Sequence, residues 1–134
     1  MIVVDSSALL AIFLGEPDAP RYASAIASAE RLAISAVSVH ETGVVLRLRH
    51  GPSALGALWR FLVESNDFEI VPFDANQARA GMAAFDRYGK GIDAKARLNL
   101  ADCASYALAT TLDVPLLFKG ADFAATDVRA ALAA

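Results

Sequence analysis

This chain of 134 residues contains a single cysteine, Cys103. One thiol excludes an internal disulfide framework and fits a reducing cytoplasm. Long apolar runs are missing too, since charged residues interrupt each hydrophobic stretch before it could span a bilayer. No basic segment precedes the first apolar residues, so we expect no signal peptide and a cytoplasmic location without a membrane partner.

An excess of positive charge is also absent. Twelve basic residues stand against fifteen acidic ones, which gives a formal net charge of −3. Proteins that coat nucleic acid are usually basic, so that class is disfavoured. An enzyme that cuts nucleic acid with acid-bound metal stays open, provided that local basic residues receive the phosphates. The two histidines, His40 and His50, suggest no acid/base pair, and we interpret both as surface or structural residues.

The composition that remains is that of a folded α/β protein. At 56% apolar and 20% charged residues, disorder is disfavoured, and the length suits one domain over residues 1–134. Strand-like segments alternate with helix-like ones, which predicts a central parallel sheet of four or five strands with helices on both faces. The predicted strands are 2–4, 32–35, 68–71 and 114–118, and the predicted helices are 6–14, 20–29, 36–49, 53–65, 75–87 and 100–112. Asp127 is interpreted as the cap of a last short helix.

The most constrained acid is Asp5, which directly follows the apolar run Ile2–Val4. Such a run suits a strand that is buried on both faces of a parallel sheet. Open α/β sheets place their ligand sites at the carboxyl ends of the strands. We therefore interpret Asp5 as the anchor of a metal site.

Glu41 is the next informative acid, because the predicted helix 36–49 places it within an apolar stripe. The other members of that stripe are Val37, Val44, Val45 and Leu48. An acid in such a position is costly to desolvate unless it is paired or bound to metal. Two interpretations stay open: Glu41 binds metal, or it forms a salt bridge at the edge of the stripe with an arginine such as Arg47 or Arg49.

Asp102 and Asp122 each have an ordinary structural explanation. Asn99 stands where a helix N-cap belongs, so Asp102 at the third helical position could complete a capping box. Asp122 could be a turn or cap residue after the fourth strand. Lys119, close by, is either a solvated surface lysine or a cation that faces phosphate.

The pattern formed by the acids is more informative than any one of them. Asp5, Glu41 and Asp122 follow predicted strands, and Asp102 opens the helix before the last strand. In a doubly wound sheet these positions gather at one edge, where the carboxylates would repel one another unless a cation compensated them. Oxygen ligands without a histidine or cysteine cluster indicate Mg²⁺ or Mn²⁺ rather than zinc.

Four segments of the chain share their features with a known family. They are Asp5-Ser-Ser-Ala-Leu, Ser35-Ala-Val-Ser-Val-His-Glu41, Leu98-Asn-Leu-Ala-Asp102-Cys-Ala-Ser-Tyr-Ala-Leu and Lys119-Gly-Ala-Asp-Phe-Ala-Ala-Thr-Asp127. In order and spacing they resemble the PIN-domain ribonucleases, and more narrowly the VapC toxins of bacterial type II toxin–antitoxin modules. The resemblance covers essentially the whole chain. It implies a PIN-like three-layer α/β/α sandwich that cleaves RNA with a divalent metal, is usually dimeric, and is inhibited by a VapB antitoxin whose C-terminal segment occupies the active-site groove.

The resemblance also implies roles for individual residues. By position, Asp5, Glu41 and Asp102 match the three core acids, and Ser7 matches the hydroxyl residue that supports the first of them. Many relatives carry a polar or acidic residue before the Asp-Phe pair, where this chain has Ala121. Asp122 is therefore the candidate for the fourth acid, and its contact with metal could be indirect.

Substrate phosphates need cationic donors near the acids. The segment between the last two long helices supplies Lys90, Lys95 and Arg97, and Lys119 lies beside the fourth acid. We expect these four residues to bind RNA phosphates. The same segment can be interpreted as a solvated run of charge.

Two other functions are compatible with parts of this sequence. A phosphatase of the haloacid-dehalogenase type would need a second acid two residues after Asp5, where this chain has Ser7, so that reaction is disfavoured. The alternative is a catalytically silent PIN-fold module that binds RNA or protein. The presence of all three core acids favours the nuclease.

Overall fold

Four short strands form one parallel sheet in the computed structural model, which describes residues 1–133. The strands are β1 (Ile2–Val4), β2 (Leu32–Ser35), β3 (Glu69–Val71) and β4 (Leu116–Leu117). Their order across the sheet is β3-β2-β1-β4. Val3 of β1 pairs with Ala33 on one side and with Leu116 on the other. The prediction of a central parallel sheet is confirmed, with four strands in the described residues.

Six α-helices connect and cover these strands in residues 1–133. They are α1 (Ser6–Phe13), α2 (Ala19–Ser28), α3 (Ala36–His50), α4 (Ser53–Trp59), α5 (Ala75–Tyr88) and α6 (Leu100–Leu112). The predicted helix 53–65 begins as α4 and continues as a π-helical segment over Arg60–Ser65. None of the helices in the described part of the chain is both long and apolar enough to cross a bilayer.

Neighbouring strand residues face two different cores, which gives the fold its three layers. Val4 and Ile34 pack with helices α1 to α4 on one face of the sheet. Val3 and Ala33 pack with α5 and α6 on the other face. All four side chains are fully buried. Because β1 and β2 are covered on both sides, their sequences are continuous apolar runs rather than alternating ones.

The buried face of α3 is not the predicted one. The residues that face the core are Ser38, Val39, Thr42, Gly43 and Leu46. Val44 and Leu48, from the predicted stripe, are 47% and 80% exposed. Apolar periodicity failed here because hydroxyl residues enter the core with their hydrogen bonds satisfied; Thr42, for example, donates to the Ser38 carbonyl at 2.7 Å. Glu41 consequently lies at the border of the buried face and is half-buried.

The last predicted helix is absent from the described residues, so the capping role of Asp127 was wrong. Asp127 instead accepts a hydrogen bond from the Tyr106 hydroxyl and forms a salt bridge with Arg87 at 3.2 Å. Beyond it the chain runs beside β4, where the Leu116 N–H donates to the Arg129 carbonyl at 2.8 Å. A helical turn does occur earlier, as a short 3-10 helix over Phe123–Ala125.

Candidate active site

Asp5 lies at the carboxyl end of β1 and is only 3% exposed. It is the N-cap of α1, where its Oδ2 accepts the backbone N–H of Ser7 at 3.0 Å. Its Oδ1 accepts the hydroxyl of Ser105, on α6, at 2.5 Å. A buried carboxylate is costly unless its oxygens are hydrogen-bonded, so these two donors allow Asp5 to lie at the edge of the sheet.

Glu41 reaches the same place from α3. Its Oε1 accepts the hydroxyl of Ser6 at 2.5 Å. Because Ser6 directly follows Asp5, this bond brings the second acid beside the first. The alternative salt bridge with Arg47 or Arg49 is not formed among residues 1–133, where the ion pairs involve other groups.

Asp102 does two things at once. It completes a capping box, because the Asn99 side chain accepts the Asp102 N–H at 2.8 Å and Asp102 Oδ2 accepts the Asn99 N–H at 2.9 Å. The capping interpretation is thus confirmed. Burial nevertheless raises the pKa of Asp102 from 3.8 to about 6, although the Asn99 N–H bond opposes the rise. Neighbouring negative charges add to the rise, and they belong to Asp5, Asp122 and Glu41. All four predicted acids therefore share one region.

Asp122 is the most exposed of these acids. It lies just before the 3-10 helix, yet its side chain makes no capping hydrogen bond there. The interpretation of Asp122 as a helix cap is therefore not realised. Its charge acts on Asp102 instead.

The acids approach one region without forming a closed cage. In residues 1–133, no three acidic, histidine or cysteine side chains lie close enough together to form a preformed metal cage. The donor set still fits Mg²⁺ or Mn²⁺, because it consists of carboxylate oxygens. Burial is the main cause of the raised pKa of Asp102, and repulsion by the other three carboxylates adds to it. Mg²⁺ keeps several waters and usually binds through one or two carboxylates, so it does not require a closed protein cage.

Ser7 supports Asp5 through its backbone rather than through its hydroxyl. The Ser7 hydroxyl accepts the backbone N–H of Lys119 at 2.9 Å and ties the segment after β4 to the start of α1. The hydroxyl that binds Glu41 belongs to Ser6, the residue before Ser7. The serine pair after Asp5 thus has three separate tasks.

The Lys119 side chain is paired with two carboxylates, so the interpretation as a solvated surface lysine was wrong. Its ammonium binds Glu16 and lies 3.0 Å from Asp18, both in the turn between α1 and α2. The bonds to these two carboxylates raise the pKa of Lys119. The group is therefore not a free surface lysine, since it joins the segment after β4 to the turn after α1, and its binding of RNA phosphate stays a prediction.

The segment 89–97, which we call the basic loop, carries Lys90, Lys95 and Arg97, all exposed. Its turns are held together by hydrogen bonds. Its base is closed by a backbone hydrogen bond from Lys90 to the Leu98 carbonyl at 2.9 Å. Asp93 Oδ1 accepts the N–H groups of Lys95 and Ala96, both at 2.8 Å. The loop leads directly into α6, whose first turn carries Asp102.

Three hydroxyl residues of the site were not singled out by the sequence analysis. They are Ser6, Ser38 and Ser105. Ser38 and Ser105 are fully buried, with their hydroxyl oxygens 3.0 Å apart. A serine within a helix does not by itself indicate a functional site. The only pattern that could have identified these residues was their spacing, since Ser38 and Ser105 each lie three residues, about one helical turn, from a predicted acid.

The parallel sheet with acids gathered at its carboxyl edge is the arrangement of a PIN domain, and the PIN domain family model matches residues 2–129. The chain belongs to that family. Within it the chain is a member of the VapC ribonucleases, since it is 43% identical over 131 residues to ribonuclease VapC28 of Mycobacterium tuberculosis, across 98% of each chain. The resemblance found in the four motifs is thereby confirmed.

Solved structures support the same fold. The crystal structure of Mycobacterium tuberculosis VapC20, titled a sarcin-ricin loop cleaving toxin, superposes with a TM-score of 0.79 over 96% of each chain at 19% identity. A toxin–antitoxin complex from Klebsiella pneumoniae superposes with a TM-score of 0.69 at 20% identity, over 95% of this chain and 93% of the other. At these identities the two structures are evidence for the fold alone.

Proposed function

We propose that this protein is a metal-dependent endoribonuclease, the toxin of a VapBC module, acting as a single PIN domain in the cytoplasm. The observation that carries the proposal is the convergence of four acids at the carboxyl edge of the sheet. Glu41 accepts a hydrogen bond from Ser6, the residue that follows Asp5, and the negative charges of Asp5, Asp122 and Glu41 add to the rise in the pKa of Asp102. The 43% identity to a named VapC ribonuclease supports the same reaction.

Asp5, Glu41 and Asp102 would hold Mg²⁺ or Mn²⁺, with Asp122 contributing directly or through water. When bound, such an ion lowers the pKa of a coordinated water and neutralises charge that develops on the phosphoryl oxygens. The protein supplies fixed carboxylates: Ser105 and the Ser7 N–H hold Asp5, Ser6 holds Glu41, and the capping box holds Asp102. Hydrolysis by metal-activated water does not require the 2′-hydroxyl of the RNA.

The basic loop would bind the RNA backbone. Lys90 and Arg97 line a shallow pocket of ≈ 510 Å³ on that loop. The protein as a whole is acidic, so attraction of phosphate depends on a local group of cations rather than on overall charge. Lys95 lies on the same loop, and only four residues separate Arg97 from Asp102, which supports a role for these cations in binding RNA close to the acids.

The test is cleavage of a structured RNA in Mg²⁺ or Mn²⁺ by the wild type and by Asp5→Ala. We expect cleavage by the wild type and none by the folded variant, with near-equal circular dichroism spectra. Failure of both proteins to cleave, with RNA binding retained, would favour the catalytically silent binding module. Equal cleavage by both would refute the assignment of Asp5.

We also propose two protein partners, a VapB-type antitoxin and a second copy of the chain. Membership of the VapC ribonucleases, at 43% identity to ribonuclease VapC28, supports the first. Exposed apolar side chains offer surface for such contacts, among them Leu48 on α3 and Leu100 on α6, which are 80% and 87% exposed. Light scattering of the chain alone and with a co-expressed antitoxin tests both contacts, and Leu48→Glu and Leu100→Glu locate them. A monomer unaffected by either substitution would contradict the dimer.

A further inference from the structure

A directed chain of buried hydroxyls ends on the first acid. Ser105 is fully buried and donates its hydroxyl proton to Asp5 Oδ1. A serine hydroxyl has one proton to donate, so in the 3.0 Å contact between Ser38 and Ser105 the donor must be Ser38. The hydrogen bonds therefore run from Ser38 to Ser105 to Asp5. In such a chain each bond polarises the next, so removal of the distal hydroxyl weakens the proximal bond.

We propose that Ser105 and Ser38 are positioning residues that hold the Asp5 carboxylate in the orientation that binds the divalent metal. The inference rests on the proposed function, because it presumes that Asp5 is a metal ligand. It assigns to two residues of this chain a role that their position in the interior of two helices does not suggest.

The geometry of Asp5 supports this role. One carboxylate oxygen accepts the Ser7 N–H and the other accepts the Ser105 hydroxyl, so the group is held at two points and cannot rotate freely. Each carboxylate oxygen has a second acceptor position. One such position per oxygen remains for a cation. Without Ser105, the carboxylate would keep only the backbone contact to Ser7.

The chain of hydroxyls also links the elements that carry the other acids. Ser38 is on α3, about one turn before Glu41, and Ser105 is on α6, about one turn after Asp102. Their contact therefore joins the two helices directly beneath Asp5. Groups that hold a metal ligand in place are typically worth about tenfold to a hundredfold in metal affinity or activity.

A buried hydroxyl could instead serve packing alone, and Thr42 provides the matched comparison. Thr42 is fully buried on α3, like Ser38, but its hydroxyl donates to the Ser38 carbonyl of its own helix rather than to a carboxylate. Thr42→Val removes a buried hydroxyl with little change of volume. A packing effect would appear in all of these variants, whereas a positioning effect would be confined to Ser105 and Ser38.

The experiment measures Mn²⁺ binding to the full-length protein without RNA, by electron paramagnetic resonance of the free ion, together with thermal melting. We expect Ser105→Ala to raise the Mn²⁺ dissociation constant about tenfold. Ser38→Ala should raise it less, and the double variant should bind no more weakly than Ser105→Ala, because Ser38 acts through Ser105. Thr42→Val should bind Mn²⁺ as the wild type does.

The outcomes distinguish the positioning role of the serines from the metal site itself. If Asp5→Ala loses Mn²⁺ binding while folded Ser105→Ala binds like the wild type, the positioning role is overturned and the metal site stands. If Asp5→Ala also binds like the wild type, the proposed metal site is refuted, and the positioning role with it. Should Ser105→Ala not fold, Ser105→Cys, with a similar volume and a weak donor, replaces it, and wild-type Mn²⁺ affinity in that variant would equally overturn the inference.

Discussion

Replacement of Asp102 by asparagine should stabilise the metal-free protein at neutral pH. The asparagine side chain keeps an oxygen that can accept the Asn99 N–H, so the cap of α6 is retained. The substitution removes a charge that is partly buried and lies near three other carboxylates, those of Asp5, Asp122 and Glu41. The variant should therefore lose RNA cleavage and gain stability. This combination is expected of a site whose carboxylates repel one another in the absence of a bound cation.

The magnitude follows from the pKa of Asp102, which is raised from 3.8 to about 6. At 1.36 kcal/mol per pKa unit, this shift corresponds to about 3 kcal/mol as an upper limit. Asp102 is partly exposed, and solvent screening lowers the expected gain to about 1 to 2 kcal/mol. For a domain of this length, that is a rise in Tm of roughly 3 to 8 °C.

The pH dependence has a definite sign. A carboxyl group whose pKa is higher in the folded state binds its proton more tightly there than in the unfolded chain. Stability from this group is highest below pH 3.8, falls as the pH rises to about 6, and stays low above that value. The difference in Tm between Asp102→Asn and the wild type should be largest at pH 7.5 and should shrink towards zero as the pH approaches 4.

Differential scanning calorimetry in EDTA at several pH values between 4 and 7.5 measures this difference. Asp86→Asn, at an exposed acid of α5, removes the same charge outside the site and should change Tm little at any pH. Equal melting of Asp102→Asn and the wild type at pH 7.5 would refute the reasoning. So would a difference that persists unchanged to pH 4.

The other predictions concern activity. Asp5→Asn should abolish RNA cleavage and leave Tm unchanged or raised, because it removes one like charge; a large loss of stability with cleavage retained would contradict this. EDTA should stop cleavage and excess Mg²⁺ or Mn²⁺ should restore it, as a titration of rate against metal would reveal, whereas indifference to chelator would indicate another chemistry. Arg97→Gln should raise KM for RNA with little change in kcat and flatten the salt dependence of binding; an unchanged KM would remove Arg97 from the RNA-binding surface.

Much of the fold follows from local sequence. The apolar run before Asp5 predicted β1, and the alternation of strands and helices predicted the parallel sheet, because burial on both faces selects continuous apolar strands. Helix boundaries were also readable, since capping is local: Asn99 and Asp102 are three residues apart, and their capping box forms as predicted. Asp5 and Asp102 were recognisable for the same reason, as they lie at the end of β1 and in the first turn of α6. Glu41 lies inside α3, and only its apolar neighbours and the resemblance to the family singled it out.

What only the tertiary structure decided are contacts between residues far apart in the chain. Ser105 binds Asp5 across 100 positions, and Lys119 pairs with Glu16 and Asp18 of the turn after α1. The apolar periodicity of α3 misled because hydroxyls that find partners inside the core can displace apolar side chains to the surface. Satisfaction of a buried polar group depends on which segments meet, so a local pattern identifies the acids but not the hydroxyls that hold them.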